Sequence, residues 1–212
     1  MSDFTLVIGN KNYSSWSFRA WLAMEQTGAP FTEKQIWFDE DRDRQKRRQY
    51  GPTGKVPVLL HGDLRIWDSL AIVEYLAEQF PARGLWPAAS AARARARSVC
   101  AEMHSGFMAI RNEMPMDTRA RHQPQDRGPE VAAEIARVVE LWEGTRAEFG
   151  KGGPFLFGQR SIADAYFTPV ISRFVTYAVP LEGAAAAYRD AVLALPAVQR
   201  WMKAAAAETH GD

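Results

Sequence analysis

The sequence predicts a small α/β domain followed by an all-helical one, and three observations carry that prediction. Short apolar runs of strand length lie at Thr5 to Gly9, Val56 to Leu60 and Leu64 to Trp67, each bounded by Gly, Asp or Asn. A helical periodicity separates the first run from the later ones. After Pro87 the composition shifts to Ala and Arg, strand signals cease, and long helical periodicities take over. The chain has 212 residues, 47% hydrophobic and 24% charged, enough apolar material for a sizeable core in one large or two small domains.

Thr5 to Gly9 suits a buried strand, and Asn10 to Ser17 follows as a polar loop. Phe18, Trp21 and Leu22 open a helix that stops at Gly28 with Pro30 just beyond. Thr32 to Phe38 reads as a second strand. Val56 to Leu60 and Leu64 to Trp67 flank His61-Gly62-Asp63, the chemistry of a tight hairpin loop, and Pro57 stands at the start of the first arm, where a missing N–H is tolerated. Asp68 and Ser69 then precede the periodic Leu70, Ile72, Val73, Leu76 and Phe80, so they occupy a helix N-terminus, a site suited to anions.

In the second half, Val131, Ile135, Val138 and Trp142 form one stripe of a helix from Pro129 to Gly150. Ser161-Ile-Ala-Asp164 fits a capping box, although Arg160 and Ala165 cannot supply the hydrophobic staple that often accompanies one. Pro169 is expected to kink or reset the helix it opens, and Pro196 starts a last helix carrying Val198 and Trp201.

A net charge of +1 with mixed signs gives no electrostatic case for nucleic acid or an anionic membrane, and no run reaches the length of a membrane span. The single Cys100 excludes an internal disulfide and any Cys-x-x-Cys redox or zinc motif. A reducing, cytoplasmic setting and no metal site are the expectations.

The Val56-Pro57 pair, the hairpin, the acidic-Ser pair and Leu70-Ala-Ile-Val-Glu-Tyr-Leu76 together resemble the thioredoxin-like half of the cytosolic glutathione transferases. The Ser-x-x-Asp box resembles that family's helical half. The resemblance implies a thioredoxin-like domain at 1–80 and a helical domain at 88–212. It also implies a cis Val56-Pro57 bond, and glutathione as co-substrate held by Lys55, Val56, Pro57, Asp68 and Ser69. A symmetric homodimer and a small-molecule electrophile are the implied partners.

In that family the loop after the first strand carries the catalytic hydroxyl or thiol, and here it reads Asn12-Tyr13-Ser14-Ser15-Trp16-Ser17. A thiol with a pKa near 8.5 needs a shift of about two units, or roughly 2.7 kcal/mol, to be mostly thiolate at neutral pH. A hydrogen bond donated to the anion supplies about 1.5–3 kcal/mol and a helix N-terminus about 0.3–1. The sequence is similar to the serine-type zeta branch. Matching Arg19 to the second Arg of its motif Ser-Ser-Cys-Ser-Trp-Arg-x-Arg puts the first Ser on Asn12, the Cys on Ser14 and the last Ser on Ser15. Ser14, placed in the loop, is the first choice of donor; Ser15 is second, expected to cap the helix; Tyr13 is third.

On the helix after Pro87, Ala96, Val99, Met103, Ile110 and Met114 share a core face at 100° per residue. Cys100, His104, Phe107 and Arg111 share the adjacent one. A His, an aromatic and an Arg together suit a cleft better than a core, so His104, Phe107 and Arg111, with Tyr13, are the expected electrophile pocket. The reading is a glutathione transferase. Its alternatives are a glutathione-dependent cis-trans isomerase of a maleyl-type diacid, and a non-catalytic binding subunit.

Overall fold

The computed structural model describes residues 3–38 and 41–209. The first half runs β1 (Phe4–Ile8), α1 (Ser15–Thr27), β2 (Thr32–Gln35), α2 (Asp41–Arg48), β3 (Val58–His61), β4 (Leu64–Trp67) and α3 (Ser69–Gln79). Its four strands form one sheet in the order β2-β1-β3-β4. β1 and β2 are parallel because α1 crosses between them, whereas β3 pairs antiparallel with both β1 and β4. Successive strand residues face opposite sides, so Leu6, Ile8 and Leu59 enter the main core while Val7, Ile36 and Val58 form a small second cluster.

β2 ends at Gln35 rather than Phe38. Its partner β1 turns away after Ile8, whose pairing with Gln35 is the last in register, and the side chain of Asn10 accepts the Phe38 N–H at 2.9 Å instead. Helix α1 stops at Gly28 as expected, with Gly28 at φ 69, but begins three residues before Phe18. Helix α2, Asp-Arg-Asp-Arg-Gln-Lys-Arg-Arg, has no apolar stripe to betray it.

The second half is wholly helical: α4 (Ser90–Ser105), α5 (Met108–Glu113), α6 (Pro129–Phe149), α7 (Ile162–Thr176), α8 (Gly183–Leu193) and α9 (Pro196–Ala206). The run after Pro87 is two helices, not one. The chain breaks at Gly106-Phe107, where Phe107 adopts φ 60, yet Ala96, Val99, Met103, Ile110 and Met114 are all buried. Pro169 does not reset α7, which continues to Thr176. Among the described residues, no helix is long and apolar enough to cross a membrane, and no group of three His, Cys, Asp or Glu is placed to hold a metal ion.

One core joins the two halves. Phe18 of α1 stacks on Trp201 of α9, with ring centroids 4.5 Å apart and planes 8° from parallel, and Trp142 of α6 meets Phe167, Phe174 and Tyr188. Buried Asp164 organises the start of α7, accepting from the N–H groups of Ser161 (2.7 Å) and Leu156 (3.1 Å) and from the Tyr188 hydroxyl (3.1 Å). Replacing Asp164 with Ala strands these donors and the Ser161 hydroxyl, which also donates to it at 3.2 Å, and chemical denaturation should register a loss of about 3 kcal/mol. A loss below about 1 kcal/mol would mean that these donors find other partners.

Candidate active site

The loop from β1 into α1 is shaped by close contacts. Gly9 lies against the ring of Phe38, and a Cβ there would come within 2.3 Å of it. The N–H groups of Tyr13 and Ser14 turn back onto the Asn10 carbonyl at 3.2 and 2.8 Å. Ser14 is the N-cap of α1: its Oγ accepts the Ser17 N–H at 3.4 Å and donates to Ser17 Oγ at 2.7 Å, while Ser17 Oγ accepts the Gly9 N–H at 3.1 Å. Ser14 stands in the loop before the helix and Ser15 in its first turn, as expected, but the cap is Ser14 rather than Ser15: Ser14 closes the helix end onto the strand, and Ser15 is the first helical residue.

Ser15 Oγ accepts from Nη2 of Arg173 at 3.4 Å, which leaves its own proton uncommitted. The next residue, Trp16, belongs to the first helical turn, where backbone N–H groups lack intrahelical acceptors.

Two cavities meet at this helix end. The first, about 460 Å³, is lined by Trp16, Thr53, Lys55, Val56, Pro57, Trp67, Asp68, Ser69 and His104. The Val56-Pro57 bond is cis, and Val56 stands outside both ladders of β3. Asp68 caps α3 with Oδ1 on the Leu70 N–H at 2.7 Å and holds φ 74, a strained value for a residue with a Cβ. Its Oδ2 is 3.4 Å from Nε2 of His104. The Ser69 hydroxyl is buried against the Tyr166 hydroxyl at 3.2 Å.

The second cavity, about 470 Å³, is lined by Tyr13, Ser15, Trp16, His104, Met108, Arg111, Pro115, Met116 and Arg173. Trp16 and His104 are common to both. This second wall holds two arginines and no carboxylate. Arg173, 5% exposed, donates to the carbonyls of Met114 (2.9 Å) and Pro169 (3.2 Å), and burial together with the charges of Arg19 and Arg111 pushes its pKa down to about 9. Arg111 donates to the carbonyls of Gly106 (2.9 Å) and Met103 and lies over the Trp16 ring, 4.8 Å from its centroid; burial lowers its pKa as well.

Behind the wall, Arg19 is fully buried. Its guanidinium sits between the rings of Trp16 (4.5 Å) and Tyr166 (4.8 Å), none of its nitrogens has a hydrogen-bond partner, and burial brings its pKa down to about 10. Burial also lowers the pKa of His104, against the opposing pull of Asp68, so the ring is neutral at pH 7.

Of the residues expected from sequence, Lys55, Val56, Pro57, Asp68 and Ser69 gather on the first cavity, and Tyr13, Ser15, His104 and Arg111 on the second. Phe107 does not join them; the break that it occupies turns it into the core at 7% exposed. Cys100 is fully buried, and its thiol pKa is pushed well above the ordinary value by burial. Trp16, Arg19 and Arg173 were not anticipated as site residues. Arg173 left a signal, being the one charge between Phe167 and Phe174.

Family models for the glutathione S-transferase N-terminal and C-terminal domains match residues 13–79 and 84–204. Dichloromethane dehalogenase of Methylorubrum extorquens is 38% identical over 65 residues, 30% of this chain and 23% of that protein, so the match spans under a third of that relative. Maleylpyruvate isomerase of a Ralstonia species is 26% identical over 180 residues, 81% of this chain and 85% of that protein. A solved maleyl pyruvate isomerase described as a bacterial zeta-class glutathione S-transferase shares the fold at 22% identity, with a TM-score of 0.74 over 98% of this chain and 100% of that one. The chain belongs to the glutathione S-transferase family.

Proposed function

We propose that this protein binds glutathione in the first cavity and joins it through its sulfur to an electrophilic carbon held in the second. The observation that carries the reading is the junction of the two cavities at Trp16 and His104, beside the N-terminus of α1 and an uncommitted serine proton. The groups around the first cavity suit the tripeptide. A carboxylate at Asp68 matches its α-amino group, the unladdered backbone of Val56 matches its cysteinyl peptide, and the Lys55 ammonium matches a carboxylate.

Donation to the thiolate falls to Ser15. The proton of Ser14 is spent on Ser17, whereas Ser15 accepts from the Arg173 guanidinium and keeps its O–H to give. The Trp16 N–H and the positive end of α1 add to it. These contributions together match the roughly 2.7 kcal/mol that a two-unit fall in thiol pKa requires. The thiolate sulfur then attacks, and a carbon–sulfur bond forms as the bond to the leaving group breaks and that group departs with the electron pair. On an activated double bond, the π pair moves instead to the neighbouring carbon, which takes a proton from solvent. The thiol proton has already gone to solvent, and no general base is required.

A second reading is favoured by the acid-free, arginine-rich second cavity and by the similarity to maleylpyruvate isomerase over most of the chain. Thiolate addition to the double bond of a maleyl-type diacid, rotation, and elimination of the thiolate would give cis-trans isomerisation. Both readings place an anionic electrophile against Arg111 and Arg173. We further read the chain as cytoplasmic and homodimeric, the lone buried thiol suiting a reducing compartment and the dimer following from family membership.

Ser15→Ala should raise the pKa of bound glutathione by about one to two units and lower turnover near neutral pH roughly ten- to a hundredfold. Ser14→Ala should instead cost about 1 kcal/mol of stability and leave the thiol alone. Thiolate absorbance of the binary complex against pH reads both, and a shift for Ser14→Ala alone would reverse the assignment. Arg111→Ala should slow carboxylated electrophiles about tenfold more than neutral ones; equal losses would make Arg111 structural. Light scattering should give about twice the 23.8 kDa chain mass, and a mass fixed at 23.8 kDa would rule out the dimer.

A further inference from the structure

The loop that presents Ser15 is not held by its own neighbours alone. Glu208, beyond the end of α9 and 196 residues from Asn12, is 8% exposed and turns its carboxylate into the fold. One oxygen accepts the Lys11 N–H at 2.6 Å and the other the Asn12 N–H at 3.0 Å; the Gln35 side-chain amide donates to the first oxygen as well. Trp201 donates its indole N–H to the Lys11 carbonyl at 3.0 Å, so the chain's end grips both faces of that residue. From the other side, Asn12 Oδ1 accepts from the N–H and hydroxyl of Thr118 at 2.9 and 2.8 Å.

Lys11 and Asn12 are 8% and 0% exposed. Without Glu208 their two N–H groups would be buried with no acceptor, and the loop would have to open to hydrate them. Glu208 lines neither cavity. Its carboxylate binds the loop that leads through the Ser14 cap to Ser15 and Trp16, together with the Gln35 side chain at the end of β2, and its carbonyl accepts from Arg119.

We infer that Glu208 is a positioning residue for thiol activation: by accepting two consecutive loop N–H groups it fixes the start of α1 so that the Ser15 hydroxyl and Trp16 N–H face the glutathione sulfur. This rests on the reading above. The C-terminal segment thereby sets the reactivity of a group bound to the N-terminal half, without contacting it.

Glu208→Gln tests it. Three donors converge on the carboxylate, and a carboxamide offers one acceptor oxygen and presents an NH₂ to the rest. The amide protons of Lys11 and Asn12 should exchange faster. The bound-thiol pKa should rise by about half to one unit, and kcat/KM at pH 6.5 should fall about three- to tenfold. Glutathione affinity should stay within about twofold, because the first cavity is untouched. Glu208→Asp, which keeps the charge but is one methylene short, should move the same quantities less and serves if the Gln variant does not fold.

A purely structural Glu208 would lower the melting temperature while leaving the bound-thiol titration superimposable on wild type, and that result overturns the inference. Ser15→Ala run alongside separates the two claims. If it moves the titration and neither Glu208 variant does, only the positioning role falls; if wild-type glutathione titrates as it does free in solution, the proposed function falls and takes the positioning role with it.

Discussion

Burial of the first turn of α1 is the constraint on which the site depends. This turn lies where the sheet, α7 and the end of the chain meet, and polar groups removed from water there must find partners inside the protein. The Ser14 hydroxyl is given to Ser17, whose oxygen also takes the Gly9 N–H; the Asn12 carboxamide goes to Thr118; the Lys11 carbonyl goes to Trp201. What this pairing leaves over is the Ser15 proton and the Trp16 N–H at the meeting of two cavities. On the proposed reading, reactivity is located by exhaustion of the alternatives: the groups free to bind a ligand are those that the fold has not already used.

The arginines around the second cavity obey the same physics with opposite sign. Three guanidinium groups, Arg19, Arg111 and Arg173, lower one another's pKa or are lowered by burial, and the hydrogen bonds of Arg111 and Arg173 go to carbonyls and a hydroxyl rather than to acids. Carbonyls satisfy their N–H geometry without neutralising their charge. On the proposed reading, that positive potential remains available to an anionic substrate. Arg19, stacked between Trp16 and Tyr166, braces the indole that separates the two cavities and, through Tyr166, lies one contact from Ser69.

The features legible in the sequence were those set by local chemistry. The hairpin of β3 and β4, the Gly28 stop, the acid at the base of α7 and the stripe of α6 follow from turn residues, caps and periodicity; all are found, with the first arm of the hairpin displaced to Val58–His61, so that Val56 and Pro57 precede the strand and His61 pairs with Leu64. Helices α2 and α8 were not legible, since one is nearly all charged and the other starts as a run of Ala. The break at Gly106-Phe107 escaped because the core face on its two sides keeps the phase of one helix. Which of Ser14 and Ser15 caps α1 hinges on a single residue at a helix start, finer than sequence periodicity resolves. Glu208 had no local signal at all, because its partners lie almost two hundred residues away.

The most direct test of this account is a crystal structure of the glutathione complex. The account predicts the sulfur at the junction of the two cavities, with Ser15 Oγ and the Trp16 N–H within about 3.5 Å of it and the Ser14 to Ser17 hydrogen bond intact. A sulfur bound to Ser14 or Tyr13, with Ser15 Oγ beyond hydrogen-bonding distance of it, would contradict it.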